Sequence, residues 1–383
     1  MLVSARTVLR LALTSLTLIV LAALPMQAQA VGWLPHSLVF PPGITNENLN
    51  GISCATGASS CLAVGQDFNG VGGAHAEIGA GSGWTAQSTV VRNPGPKNGA
   101  FLGASCVTTT TTCVAVGQWG TSSGGQQAMA QEPATPTWSL QTPSAGGRFR
   151  FNAVSCTNPT AGAWCMAVGF QNTSSTLAMT ASGPSFSTWT NASAPAGTVL
   201  NGVSCVEKAT GGHWCMAVGS SGSAALVEVY DAGTWSTLAA PAVGTTSYPV
   251  YGVSCRSERW CAITGDLNGG GTHNAIVQIW NGSTWTSPVL PTKPSGTTQS
   301  VGYGISCVST TECYAVGEGN TPGPQPWAAK WDGTRWASQT ATAAPGATGA
   351  TLRGVSCPAT NHCEAAGWSL FSGTPTGLIE TYI

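Results

Sequence analysis

Two carboxylates, three tryptophans and the cysteines are the residues here whose types and spacing could do chemistry. Asp266 and Glu318 each follow a glycine, Gly265 and Gly317, at the same position of consecutive repeats. Two neighbouring carboxylates could hold a calcium ion or act as acid and base on a glycoside. The alternative is a pair of solvated loop acids. Across the chain this position reads Gln66, Gln118, Phe170, Ser220, Asp266, Glu318 and Trp368. A ring of such residues would offer Gln66, Gln118 and Trp368 as ligand contacts at the mouth of a channel. Trp164, Trp214 and Trp260 each precede the second cysteine of a pair. Their rings could stack on sugars or cover the disulfides beneath them. No HExxH or Walker loop occurs, so no zinc protease or nucleotide site is signalled, and the Gly-x-Ser pieces read as turn sequence.

The 14 cysteines fall into pairs. Cys54 goes with Cys61, Cys106 with Cys113, Cys156 with Cys165, and Cys205 with Cys215. Cys255 goes with Cys261, Cys307 with Cys313, and Cys357 with Cys363. Partners this close sit at the two ends of one hairpin turn, where a disulfide can close. Zinc is not expected at the pairs, because there is no CxxC knuckle and the chain has only 5 His. Neither a metal nor a cofactor is expected.

The pairs recur with a period of about 50 residues, the mark of a repeated supersecondary unit. Each copy opens with a phrase such as Gly51-Ile52-Ser53-Cys54 or Gly304-Ile305-Ser306-Cys307. An apolar run such as Cys165-Met166-Ala167-Val168-Gly169 follows. A third segment ends near an aromatic, and a fourth begins at Trp84, Trp138, Trp189, Trp235, Trp285 or Trp336. Short apolar or alternating segments bounded by Gly, Asn and Ser read as strands. Asn281-Gly282 and Asp332-Gly333 are hairpin dipeptides between third and fourth strands. The expected fold is therefore all-β: a seven-bladed β-propeller of four-stranded antiparallel blades. The last copy stops after its third strand, while Gly32-Trp33-Leu34-Pro35 resembles a fourth strand. The N-terminal strand should pair with the last blade and close the ring, hiding sheet edges.

Residues 1–30 carry Arg6 and Arg10, an apolar run from Leu11 to Leu24, and Ala28-Gln29-Ala30. That is a secretory signal peptide pattern, with residues 31–383 as the exported domain. Export would supply the oxidising compartment that disulfides need. No stable membrane span is expected after cleavage. Charged residues are 7% of the chain and the formal net charge is −1. So sparse a basic field argues against nucleic-acid binding, and 42% hydrophobic content argues against disorder.

The phrase G-[VI]-S-C … C-x-A-V-G … W-[DN]-G-x-x-W resembles a repeat of secreted bacterial proteins, mostly uncharacterised. The resemblance spans nearly the whole exported part and implies a propeller-like fold, with no activity attached. Asp332 to Trp336 also resembles the Asp-box of sialidase-like propellers, but lacks the residue between Asp and Gly. The sequence reading is a secreted, monomeric, non-catalytic binding or scaffold propeller for a polysaccharide or cell-surface protein. Its rivals are a carbohydrate-active hydrolase or lyase using Asp266 and Glu318, and a structural envelope protein without a specific ligand.

Overall fold

Runs such as Cys61-Leu62-Ala63-Val64-Gly65 have no polar face, so a strand made of them must be covered on both sides. The computed structural model meets that demand by standing sheets face to face around a channel. It describes residues 32–36, 38, 46–55, 60–68, 73–87, 99–107, 113–120, 126–134, 137–141, 148–157, 162–172, 175–183, 186, 188–241, 248–320 and 323–383. Residues 1–30, where the signal peptide is expected, lie outside the described residues. Residues 32–383 form one compact unit.

Strand β1 is Trp33–His36. The first blade follows as β2 (Glu47–Cys54), β3 (Cys61–Asp67), β4 (Gly73–Ala80) and β5 (Gly83–Ala86). The second is β6 (Gly99–Cys106), β7 (Cys113–Gly120), β8 (Gln126–Ala134) and β9 (Thr137–Gln141). The third is β10 (Phe149–Thr157), β11 (Trp164–Gln171), β12 (Ser175–Ser182) and β13 (Trp189–Asn191). The fourth is β14 (Val199–Glu207), β15 (His213–Ser221), β16 (Ala224–Asp231) and β17 (Thr234–Thr237). The next sheet has β18 (Val250–Ser257), β19 (Trp260–Gly269) and β20 (Thr272–Trp280). Then come β21 (Gln299–Ser309), β22 (Glu312–Asn320), β23 (Gln325–Trp331) and β24 (Trp336–Gln339). The last sheet is β25 (Gly349–Ala359), β26 (His362–Phe371) and β27 (Thr374–Tyr382), completed by β1 in antiparallel register, Trp33 opposite Tyr382.

The expectation of seven four-stranded blades is corrected: six blades, not seven, are four-stranded. The sheet β18–β19–β20 has three strands, and its outer segment keeps only the isolated bridges Trp280–Trp285 and Val277–Val289. The cause is legible in Pro288, three residues after Trp285. Proline removes a ladder donor there. In the third and fourth blades the first proline comes later, at Pro195 and Pro241.

The second strands run deep in the sheets: β3 is buried along almost its whole length and β22 through its middle. All seven expected cysteine pairs are disulfides, with Cα atoms 3.9–4.1 Å apart. Cys54 is bonded to Cys61, Cys106 to Cys113, Cys156 to Cys165 and Cys205 to Cys215. Cys255 is bonded to Cys261, Cys307 to Cys313 and Cys357 to Cys363. In six of the sheets the two cysteines are direct cross-strand partners. In the last sheet the register shifts between Ser356 and Ala359, so Cys357 has no directly opposite residue and still reaches Cys363.

The Ser of each Gly-x-Ser-Cys phrase has a role that spacing alone does not reveal. Its Oγ accepts the backbone N–H of the cysteine in the following sheet. Ser53 accepts from Cys106 and Ser105 from Cys156, each at 2.9 Å. The pattern runs on through Ser155, Ser204, Ser254 and Ser306, and Ser356 returns it to Cys54. A closed belt of side-chain hydrogen bonds therefore ties every inner strand to the next. The Gly of the phrase permits the close approach. A Cβ on Gly51 would meet Gly103 Cα at 3.1 Å, and one on Gly354 would meet Ile52 N at 3.1 Å. Backbone thus packs on backbone around the channel.

Candidate functional site: the channel and its bulge residues

The first strand of every sheet carries a β-bulge at one shared place, between Leu49 and Gly51 in β2 and at the matching position in β6, β10, β14, β18, β21 and β25; the last three have a second register shift near the cysteine. A bulge leaves one residue unpaired and re-aims its side chain. The re-aimed residues are Asn50, Leu102, Asn152 and Asn201 on one arc, then Tyr251, Tyr303 and Arg353 on the other. All seven, with Arg150, line a cavity of about 370 Å³ along the channel. That lies within the range of small-molecule sites, roughly 300–1,000 Å³. The glycine opposite each bulge is also explained: a side chain at Gly65 would overlap the Asn48 carbonyl.

The two arcs differ chemically. On the first, the amides of Asn50, Asn152 and Asn201 donate to the carbonyls of Phe101, Leu200 and Val250 in the neighbouring strand, at 2.8–3.0 Å. These amide groups are used in tying blades together. Arg150 Nε donates to Asn152 Oδ1 at 2.7 Å, and its guanidinium lies 5.1 Å from the Phe170 ring. On the second arc the Arg353 guanidinium stacks 4.1 Å over the Tyr303 ring, whose neighbour Tyr251 is 5.5 Å away. Burial raises both tyrosine pKa values, while Arg353 pulls them down. Burial likewise lowers that of Arg150. Among the described residues neither Arg150 nor Arg353 makes a carboxylate salt bridge.

None of the candidate site residues drawn from the sequence lines this cavity. Gln66, Gln118 and Trp368 are half-buried near the ends of second strands. Asp266 is buried in β19, and His273 Nδ1 lies 2.7 Å from its Oδ2. Burial raises the Asp266 pKa, against the His273 hydrogen bond. Glu318 accepts from Tyr303 Oη at 2.9 Å and from Thr351 Oγ1 at 2.5 Å, so it buttresses a channel tyrosine from behind. The two carboxylates are held by separate partners rather than by each other. Trp164 stacks on His213 of the next sheet at 4.1 Å. Trp214 is 6% exposed in an apolar cluster with Val253 and Cys255. Trp260 packs against the cluster containing Cys307 and Trp336. All three rings are engaged in packing between sheets.

Sequence reasoning missed the bulge residues because it aligned the constant positions. The signal was the variable residue just before each Gly-x-Ser-Cys phrase. It also missed a buried cluster in the first blade, Glu47, His75 and Glu77, whose ligand-type atoms lie within 4.8 Å of one another. Burial pushes the Glu47 carboxyl up to about 8, with His75 opposing.

Sheets standing around a channel, each inner strand bonded to the next, define a β-propeller. No family model matches the chain, and no curated protein is similar to it in sequence. Solved structures share the fold. A structure titled "YCF48 bound to D1 peptide" matches with a TM-score of 0.55 at 13% identity, covering 93% of this chain and 96% of that one. YCF48 from Cyanidioschyzon merolae gives 0.56 at 12%, covering 92% and 99%. The GH74 xyloglucanase from Xanthomonas campestris gives 0.54 at 12%, covering 90% of this chain and 54% of that one. At these identities the likeness is one of fold.

Proposed function

We propose that this protein is a secreted, non-catalytic binding propeller whose channel takes an acidic polysaccharide of a cell surface. The observation that carries the reading is the arc Tyr251–Tyr303–Arg353, where bulges aim two aromatic rings and a guanidinium into one cavity. Phenol rings offer flat apolar faces with polar tips. Arginine offers a planar fork suited to a carboxylate. The seven disulfides support export, since such bonds persist in oxidising compartments. Residues 1–30 would then be the signal peptide and residues 31–383 the exported domain. A surface protein is the other partner class this reading admits, and a structure titled as bound to a peptide shares the fold.

The test is an array of neutral and acidic cell-wall polysaccharides probed with the oxidised chain and with Arg353→Ala. Selective binding to acidic glycans that Arg353→Ala weakens about tenfold or more is expected, as for loss of a charge-assisted contact. Binding unaffected by Arg353→Ala, or a blank array, overturns the polysaccharide reading.

A further inference from the structure

The face of the first blade turned toward the last one is built unlike its counterparts. Residues opposite each other on neighbouring strands share a face. Glu47 pairs with Asp67, Asp67 with Gly73, Gly65 with His75, and Ala63 with Glu77. Glu47, Asp67, His75 and Glu77 therefore project to one side. The position of His75, opposite the second-strand glycine, is Met129, Leu177, Leu226, Ile276, Trp327 and Leu378 in the other sheets. Six apolar residues thus stand where the first blade has an imidazole. Carboxylates recur at the Glu77 position, as Glu228 and Glu380, so Glu77 alone signals nothing. His75 and Glu47 do.

The cluster is sealed: Glu47 is 1% exposed, His75 3% and Glu77 0%. Its hydrogen bonding does not close. His75 Nε2 lies 3.1 Å from Glu47 Oε2 and 3.1 Å from Glu77 Oε1. One ring nitrogen carries at most one proton, so it serves one carboxylate at a time. Both Glu47 oxygens, Glu77 Oε2 and Asp67 Oδ1 are buried and accept no hydrogen bond from the described residues. Buried carboxylates in that state are costly unless paired or metal-bound. The 3.1 Å separations are close to the edge of a tetrahedron whose metal–ligand bonds are about 2.0–2.1 Å. Gly377 of β27 makes room for the Glu47 carboxylate at this seam, because a side chain there would collide with Glu47 Oε1.

We propose that Glu47, His75 and Glu77, with Asp67 beside them, form a structural zinc site at the seam where the first blade meets the last. Imidazole with carboxylates favours zinc over the all-oxygen shells of calcium and magnesium. The cysteines cannot compete, since all are in disulfides. The other described histidines are also placed elsewhere. His36 bonds Thr381, His213 stacks on Trp164, His273 bonds Asp266 and His362 is exposed. The site is independent of the channel and of what binds there.

The experiment uses the whole oxidised chain, stripped with EDTA and dialysed, then titrated with zinc chloride alone near neutral pH. Calorimetry gives the stoichiometry, and melting with and without zinc gives the stabilisation. One zinc per chain, with Kd below about 10 µM and a melting temperature raised by several degrees, is expected. His75→Leu, which restores the apolar residue of the other sheets, and the isosteric Glu47→Gln should each weaken binding about 100-fold or more. Both should also abolish the zinc-dependent rise in melting temperature. Wild type that takes up no zinc at about 100 µM overturns the proposal. So does zinc binding that survives both substitutions, since the ion would then sit elsewhere.

Discussion

Glu380 stands in the middle of β27 with 0% exposure. Alternation along the strand puts it on the face of Leu378 and Tyr382, which pack in an apolar cluster with Tyr314 and Val316. Burial pushes its carboxyl up to about 8, and among the described residues neither of its oxygens has a hydrogen-bond donor. In the unfolded chain the same group titrates near 4.5. The folded protein therefore keeps the proton over a range in which the unfolded chain gives it up. The stability held by the neutral acid is complete below about 4.5 and drains away as pH climbs through about 8. The gap of about 3.5 units, at about 1.4 kcal/mol each, sets an upper bound of about 5 kcal/mol. For a chain of this size that is roughly 5–10 °C in melting temperature. Glu380→Gln keeps the shape and cannot ionise. Its melting temperature relative to wild type should rise steadily from about pH 5 to about pH 8.5. Scanning calorimetry of both proteins across that range, with EDTA present, measures the difference and cancels the parallel titration of Glu47. Curves that stay parallel would refute the reasoning, because Glu380 would then not hold its proton through that window.

Two further outcomes follow from the way the ring is joined. Trp33 is 2% exposed and meets Tyr314 and Tyr382 edge-on, at 6.1 and 5.4 Å between centroids. Trp33→Ala should cost about 3–5 kcal/mol in urea unfolding, and a loss under about 1 kcal/mol would mean that β1 does not hold the last blade. Ser254→Ala leaves the Cys307 N–H without its acceptor, so a loss of about 1–3 kcal/mol is expected. Full retention of stability would show that the serine belt is decorative.

Much of the architecture was written in recurrences. The Cys pairs, Trp starts and Gly-x-Ser-Cys phrases fix hairpins, and hairpins of apolar strands must stack. The missing outer strand beside β20 was also legible, in Pro288, but counting repeats hides a defect in one copy. The site was far less legible, for a physical reason. Side chains that face the channel are set by the bulge, and a bulge leaves no residue type of its own behind. Asn50, Tyr251 and Arg353 share a position and nothing else. The buried cluster was hidden differently. His75 and Glu77 look like two polar residues of an alternating strand, and only the cross-strand register reveals that they face a protein interior.

The bulge also explains how one repeat can keep its frame while its channel changes. The serine oxygen, the cysteine N–H and the glycine Cα that join neighbouring strands all lie on the cysteine side of the bulge. The bulged residue takes no part in the ladder, so its identity is not constrained by strand pairing. On one arc that freedom has been used for three asparagines, whose amide groups bridge to the next strand. On the other it has been used for Tyr251, Tyr303 and Arg353, whose rings and guanidinium pack in sequence and, among the described residues, bridge to no neighbouring carbonyl in the same way. Hydrogen-bonding capacity already committed to the frame is not open to a ligand. The chemistry able to discriminate a partner is therefore concentrated on the second arc, with Glu318 fixing the Tyr303 hydroxyl from behind.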